Sequence, residues 1–203
     1  MTSSAPPPLD GPTPNFLRMK LICGGVVLVA LVLDLWTKSY MQELLGLWPD
    51  VNPAPHTVEI IPGFLRWEGT WNPGVTFGLG AGHTVAILVL TGLATLGLII
   101  WFLGSRTPSK LLHVGLALII AGALGNLYDR VEWHKVRDWI GVYIEAGGGE
   151  KKWPNFNIAD MGIVIGVGLI IWDNLFGVSA KIAKAQLEEA KRRKAAKAAK
   201  GAS

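Results

Sequence analysis

Four long apolar runs separated by short polar segments set the plan of the chain. They cover Leu21–Leu35, Val85–Leu103, Leu111–Leu127 and Ile158–Phe176. A helix that crosses the hydrocarbon core needs about 20 mainly apolar residues. Two of the four are a little short on that count, and polar ends at the interface complete them. Between the first and second runs, Thr57–Ile61 and Phe64–Trp67 are short, β-branched or aromatic, and split by Pro-Gly, which predicts a small β element. Between the third and fourth, the segment containing "EAGGGEKKWP" reads as a flexible loop. The Pro-, Ser- and Thr-rich start reads as a disordered tail, and the Ala- and Lys-rich end as a helical or frayed one. The expected architecture is mainly α: a polytopic membrane protein with four transmembrane helices and a small extracytoplasmic β element. Residues 1–17 form the N-terminal tail, 18–178 the four-helix membrane domain, and 179–203 a basic cytoplasmic tail.

Composition agrees with that pattern. Half of the 203 residues are hydrophobic and 17% are charged, too apolar a balance for an ordinary soluble domain. The net charge of +4 would suit nucleic acid, but the charges sit between the apolar runs and at the C-terminus, as in membrane-protein loops. No nucleic-acid partner is expected. The single cysteine, Cys23, excludes an internal disulfide framework. The first run has no small-x-small cleavage site and continues into "DLWTKSY", so it reads as a retained helix.

The basic residues orient the spans. Arg18 and Lys20 precede the first run, Arg106 and Lys110 lie between the second and third, and eight Lys and Arg from Lys181 to Lys200 follow the fourth. With four spans, all fall on one side, which puts both termini in the cytoplasm. The tail then lies along anionic head groups, which attract Lys and Arg, or is simply solvated.

Charged residues within membrane segments are costly and so are functional candidates. Here they share one end of the bundle. Asp34 and Lys38 stand in "DLWTK", Asn72 and Gly74 in "NPGVTFG", Asn126, Asp129 and Arg130 in "GALGNLYDR", Asp138 in "VRDWI", and Asn157, Ala159 and Asp160 in "FNIAD". Each also has a plain structural reading. Asp34 and Lys38 are spaced as an i,i+4 pair. Asn126 and Arg130, also four apart, would tie the third helix to a neighbour. Asp129 and Arg130 would snorkel. The glycines of "AGALGN" suit close helix packing, and Asn72-Pro73-Gly74 suits a turn. Asn155 or Asn157 suits an N-cap, with Asp160 in the first turn of a helix.

Together they suggest more. Asp138 and Asp160 flank one loop, and two carboxylates sharing a site cannot both ionise cheaply, so one serves as acid while the other activates water. That is aspartic-protease chemistry. The four His are scattered without metal-ligand spacing, and no G-x-S-x-G, Walker or dinucleotide motif occurs. No metal or cofactor is expected. An ion or proton pathway, or an assembly role, is the alternative; against a pathway, the polar residues cluster at one face and do not thread the bilayer.

The five blocks "DLWTK", "NPGVTFG", "GALGNLYDR", "VRDWI" and "FNIAD", in that order on four apolar spans, resemble the bacterial lipoprotein signal peptidases (signal peptidase II) from about Ile22 to Phe176. The resemblance implies a four-helix membrane aspartyl protease with a β-sheet cradle and a helix over the active site, both outside the cytoplasm. It implies cleavage of diacylglyceryl-modified prolipoproteins just before the lipid-bearing Cys, in the bacterial cytoplasmic membrane; a monomer in contact with membrane lipids is expected. Carried over by motif, Asp138 and Asp160 are the catalytic pair and Asp129 is the rival for the first role. Asp34, Lys38, Asn72, Gly74, Asn126, Asp129, Arg130, Asn157 and Ala159 support site and substrate. Two positions depart from the family pattern, Ala121 for a common Gly and Arg137 for a common Val. A cation beside Asp138 would lower its pKa, an expectation that leaves the shared proton on Asp160.

Overall fold

The computed structural model describes residues 15–49, 56–74 and 84–201. Most of the expected N-terminal tail, and the "VTFG" part of the second block, lie outside the described residues. Five helices and four strands follow one another: α1 (Phe16–Leu45), β1 (Thr57–Ile61), β2 (Leu65–Asn72), α2 (Thr84–Gly104), α3 (Lys110–Trp133), β3 (Val136–Ala146), β4 (Gly149–Lys152), α4 (Ile158–Phe176) and α5 (Val178–Gly201). Among the described residues four helices are long and apolar enough to cross a membrane: α1, α2, α3, and α4 with its continuation. The expected fold, mainly α with four spans and a small β element, is the one observed.

Helix α3 sits at the centre and packs against α1, α2 and α4. Its sequence permits this, because small residues let backbones approach. A Cβ added at Gly115 would lie 2.8 Å from the Gly166 carbonyl, and one at Gly122 would collide with the Ala159 carbonyl. The glycines of "AGALGN" therefore serve close packing. At one end of the bundle Cys23, Phe102, Leu112, Leu116, Ala117 and Ile120 form an apolar core. The outward faces carry exposed Leu28, Val29, Leu90, Val164 and Ile171, as helices bathed in lipid do.

The expected β element is larger than the sequence suggested. Strand β2 runs on to Asn72, and the segment read as a flexible loop after α3 is a β-hairpin. Strands β1 to β4 form an antiparallel sheet in sequence order. Gly147 and Gly148, both at positive φ (66° and 80°), form the two-residue turn between Ala146 and Gly149. Consecutive positive φ angles match the twist of hairpin strands and favour Gly-Gly. Arg66 stitches the sheet by pairing with Glu68 (2.9 Å) and Glu150 (2.7 Å), while its guanidinium lies over the Tyr143 ring. No helix occurs in segments 56–74 or 134–157, so none of the described residues supplies the helix that the resemblance put over the site.

Candidate active site

Three devices bring the polar ends together. The first is a buried stripe on α1. Asp34, Lys38 and Gln42 recur every four residues, so they share one helix face, and all three are buried there. Lys38 reaches Asp34 (2.8 Å) and Asp129 (3.5 Å) and donates to the side-chain oxygen of Asn126 (2.9 Å). The expected i,i+4 pair is thus present as part of a larger web. Asp34 also accepts the backbone N–H of Ala159 (2.9 Å). That N–H belongs to the first turn of α4, which has no helical partner and carries positive dipole charge.

The second device is the N-terminus of α4. Asn157 is its N-cap: its side-chain oxygen accepts the Asp160 N–H, and the Asp160 carboxylate accepts the Asn157 N–H (3.0 and 3.1 Å). The cap is also a bridge. The Asn157 side-chain amide donates to Asp138 Oδ1 at 2.7 Å, so one residue holds both carboxylates, Asp138 through its side chain and Asp160 through its backbone N–H. Asn126 Nδ2 donates to Asp160 Oδ1 (2.8 Å).

The third device is the sheet. Phe156 pairs with Ile140, with backbone bonds of 2.9 and 3.1 Å, and this pairing ties the chain entering α4 to β3 two residues beyond Asp138. A strand, not a flexible loop, makes the carboxylates approach. On β2, Thr70 faces Asp138 and Asn72 faces Val136; Asn72 therefore shares a face with Asp138 and donates to its Oδ2 (3.1 Å). The Asn72 side-chain oxygen accepts the Gly74 N–H (3.0 Å), an Asx turn as expected. Arg130 holds that turn from α3 by donating to the Gly74 carbonyl (2.9 Å), and it also donates to the Asn126 carbonyl one turn back (3.2 Å).

All eleven residues singled out from the sequence thus gather at one end of the bundle, though not all in the parts expected of them. Asp129 and Arg130 do not snorkel; both are buried. Asp129 accepts from the backbone N–H of Arg137 (2.9 Å) and from its guanidinium (2.6 Å). Its carboxylate is thus engaged by Arg137 and by Lys38.

The expected effect of Arg137 on Asp138 is also overturned. Successive strand residues point to opposite faces, so the Arg137 guanidinium turns away, to Asp129 and to Gln42 Oε1 (2.9 Å). Burial, and then the Asp160 charge, push Asp138 up to about 7 from its ordinary 3.8. Hydrogen bonds from Asn72 and Asn157 and the Lys38 charge only partly oppose this. Asp138 is therefore a carboxyl suited to hold a proton near neutral pH. Sequence reasoning missed Gln42 and the true partners of Arg137; the Asp34-x3-Lys38-x3-Gln42 spacing was the available signal. Among the described residues no group of His, Cys, Asp or Glu has the geometry of a metal site.

The arrangement is a pair of carboxyls in unlike environments, held by amide donors, at the mouth of a membrane bundle. Comparison with known proteins points the same way. A lipoprotein signal peptidase from Sulfurihydrogenibium sp. (strain YO3AOP1) is 37% identical over 164 residues, covering 78% of this chain and 93% of its own. One from Rhodopseudomonas palustris (strain ATCC BAA-98 / CGA009) is 36% identical, covering 81% and 96%. A solved bacterial membrane enzyme superposes with a TM-score of 0.65 at 28% identity, covering 82% of this chain and 93% of that one. Residues 26–176, which include Asp34 and every other residue of the polar web, match the family described as signal peptidase (SPase) II, and the chain belongs to that family.

Proposed function

We propose that this protein is an aspartic endopeptidase that removes signal peptides from diacylglyceryl-modified prolipoproteins, cutting before the lipid-bearing Cys, with Asp138 and Asp160 as the catalytic pair. The observation that carries the reading is Asn157, whose side-chain amide donates to the Asp138 carboxyl and whose backbone N–H donates to that of Asp160, with Asp138 raised to about 7. Asp160, ionised, takes a proton from a water molecule, and the oxygen attacks the scissile carbonyl carbon. Asp138, protonated, donates to the carbonyl oxygen. As the tetrahedral intermediate collapses, the C–N bond breaks and the leaving amine takes the proton held by Asp160, while the oxygen returns its own to Asp138. The amides of Asn72, Asn126 and Asn157 and the guanidinium of Arg130 hold the pair in place throughout.

The basic segments at Arg18 and Lys20, at Arg106 and Lys110, and along α5 put both termini on the cytoplasmic side. The carboxyls then lie near the outer boundary, where water reaches the peptide while its acyl chains stay in the bilayer. The apolar core at the other end argues against an ion or proton pathway. We further infer that the protein acts as a monomer, with α5 lying along anionic head groups.

The test is cleavage of a synthetic diacylglyceryl lipopeptide by the purified protein. The wild type cuts on the N-terminal side of the modified Cys. Asp138→Asn and Asp160→Asn each lose at least about a hundredfold in rate while keeping their helical content, and Asp129→Asn retains part of the activity. Cleavage at the wild-type rate by either of the first two variants overturns the pair.

A further inference from the structure

We propose that Arg137 is a positioning residue for the carboxyl pair: it neutralises and orients Asp129, and through Lys38 and Asn126 it fixes where the Asp160 carboxylate stands. This inference rests on the reading of Asp138 and Asp160 as the catalytic pair.

Arg137 is 3% exposed and links three elements. From β3 its guanidinium donates to Asp129 of α3 through Nε (3.2 Å) and Nη2 (2.6 Å), and to Gln42 of α1 through Nη1 (2.9 Å). Its charge also lies over the Trp133 ring, 5.9 Å from the centroid. A planar fork engaging a carboxylate in this way fixes both position and angle. Behind Asp129 each contact dictates the next. Lys38 meets Asp129 at 3.5 Å and Asp34 at 2.8 Å, and its remaining donor goes to Asn126 Oδ1. With that oxygen accepting from Lys38 and from Asn157 (3.2 Å), the Asn126 amide has one orientation left, and its Nδ2 must point at Asp160 Oδ1.

Charge balance leads to the same conclusion. The buried groups behind the pair are Asp34 and Lys38 of α1, Asp129 of α3 and Arg137 of β3, which sum to zero. Without Arg137, one Lys38 faces two buried carboxylates, and a net negative charge lies behind the pair. The other charged groups facing the pair are Arg130 of α3 and the two carboxyls themselves, Asp138 of β3 and Asp160 of α4. That uncompensated negative charge opposes the negative charge that the base of the pair must carry, so the acid limb of the rate profile moves to higher pH.

The experiment is lipopeptide cleavage by Arg137→Leu, Arg137→Lys and Gln42→Leu, with kcat and KM measured across pH. For Arg137→Leu we expect kcat to fall by about tenfold or more with KM within about twofold, and the acid limb to move up. Arg137→Lys keeps the charge without the fork; it restores the limb and part of kcat. Gln42→Leu removes only the outer anchor and gives the smallest drop. A purely structural role would lower melting temperature in all three and move neither the limb nor kcat of the folded enzyme. That result, or equal kcat and pH profiles in Arg137→Lys and Arg137→Leu, overturns the proposal. If Arg137→Leu does not fold, the limb and kcat of Arg137→Lys and Gln42→Leu decide, and wild-type values in both overturn it. A wild type that does not cut the lipopeptide overturns the peptidase reading itself, and this inference falls with it.

Discussion

At the end of the bundle where α1 begins and α2 ends, Cys23, Phe102, Leu112, Leu116, Ala117 and Ile120 pack side chain to side chain. The buried polar groups there mostly serve their own chain neighbourhood. Ser109 caps α3 through the Leu112 N–H (3.1 Å) and its carbonyl accepts from the His113 ring at Nδ1 (2.8 Å), and Asp173 takes the Val178 N–H across the α4–α5 break. Contacts between helices far apart in sequence are there too, Ser109 to Asp173 and Lys20 Nζ to the Leu103 carbonyl, but neither extends into a network. At the opposite end the polar contacts join residues far apart in sequence: Lys38 to Asn126, Asn126 to Asp160, Asn72 to Asp138, and Asp34 to Ala159. Packing alone would hold four helices at either end. A web that spans five elements costs desolvation, and what it supplies is fixed geometry for Asp138 and Asp160.

The sharpest way to break that contrast is at Lys38, which is fully buried. Lys38→Met leaves Asp34 and Asp129 facing each other with Arg137 alone. Breaking a buried charge network costs about 3–5 kcal/mol, and cleavage should fall to background even in molecules that stay folded. Thermal unfolding in detergent, read beside the rate per folded molecule, checks both. The counterpart at the packed end is Leu116→Ala. Leu116 is also fully buried, and truncation there costs about 2–4 kcal/mol. Because no polar contact to the carboxyl pair passes through Leu116, kcat of the folded enzyme stays at its wild-type value. A selective loss of kcat in Leu116→Ala would show that the two ends are not separable in this way.

The two ends also differed in how far the sequence revealed them. Apolar runs predicted the four spans well, because length and hydropathy are properties of a segment by itself. The plain readings of single residues held where they were local: the Asp34–Lys38 pair, the Asn157 cap, the Asn72 turn, the packing glycines. What failed required knowing a face or a distant partner. "EAGGGEKK" read as a flexible loop because its glycines are common in loops, yet Gly147-Gly148 is a hairpin turn with β-branched and aromatic residues before it. Arg137 was given to Asp138 because they are adjacent in sequence, and the strand's alternation sends them to opposite sides. Gln42 was passed over because a lone amide on an apolar helix carries no signal until Lys38 and Asp34 are counted back from it.

The finest test of the comparison is the titration of Asp138. Its carboxyl stands at about 7 in the folded protein against an ordinary 3.8, raised first by burial and then by Asp160. Between those values the folded state holds a proton that the unfolded chain has released. Stability from this group is complete below about pH 4 and is lost as pH rises toward 7, by about 1.4 kcal/mol per pH unit. Asp138→Asn removes the titration. Its melting temperature minus that of the wild type should therefore climb across this window and level off above about pH 7. Some of the gain is offset, because Asn72 and Asn157 both donate to Asp138 and an amide accepts at only one of its two heads; that offset is constant with pH, so the slope is the readout. In the wild type the same proton is the one the reaction needs, and the rate should fall on the alkaline side of about 7. A difference in melting temperature that does not change with pH would mean that Asp138 is ionised in the folded protein, and that the shared proton must be sought on Asp160.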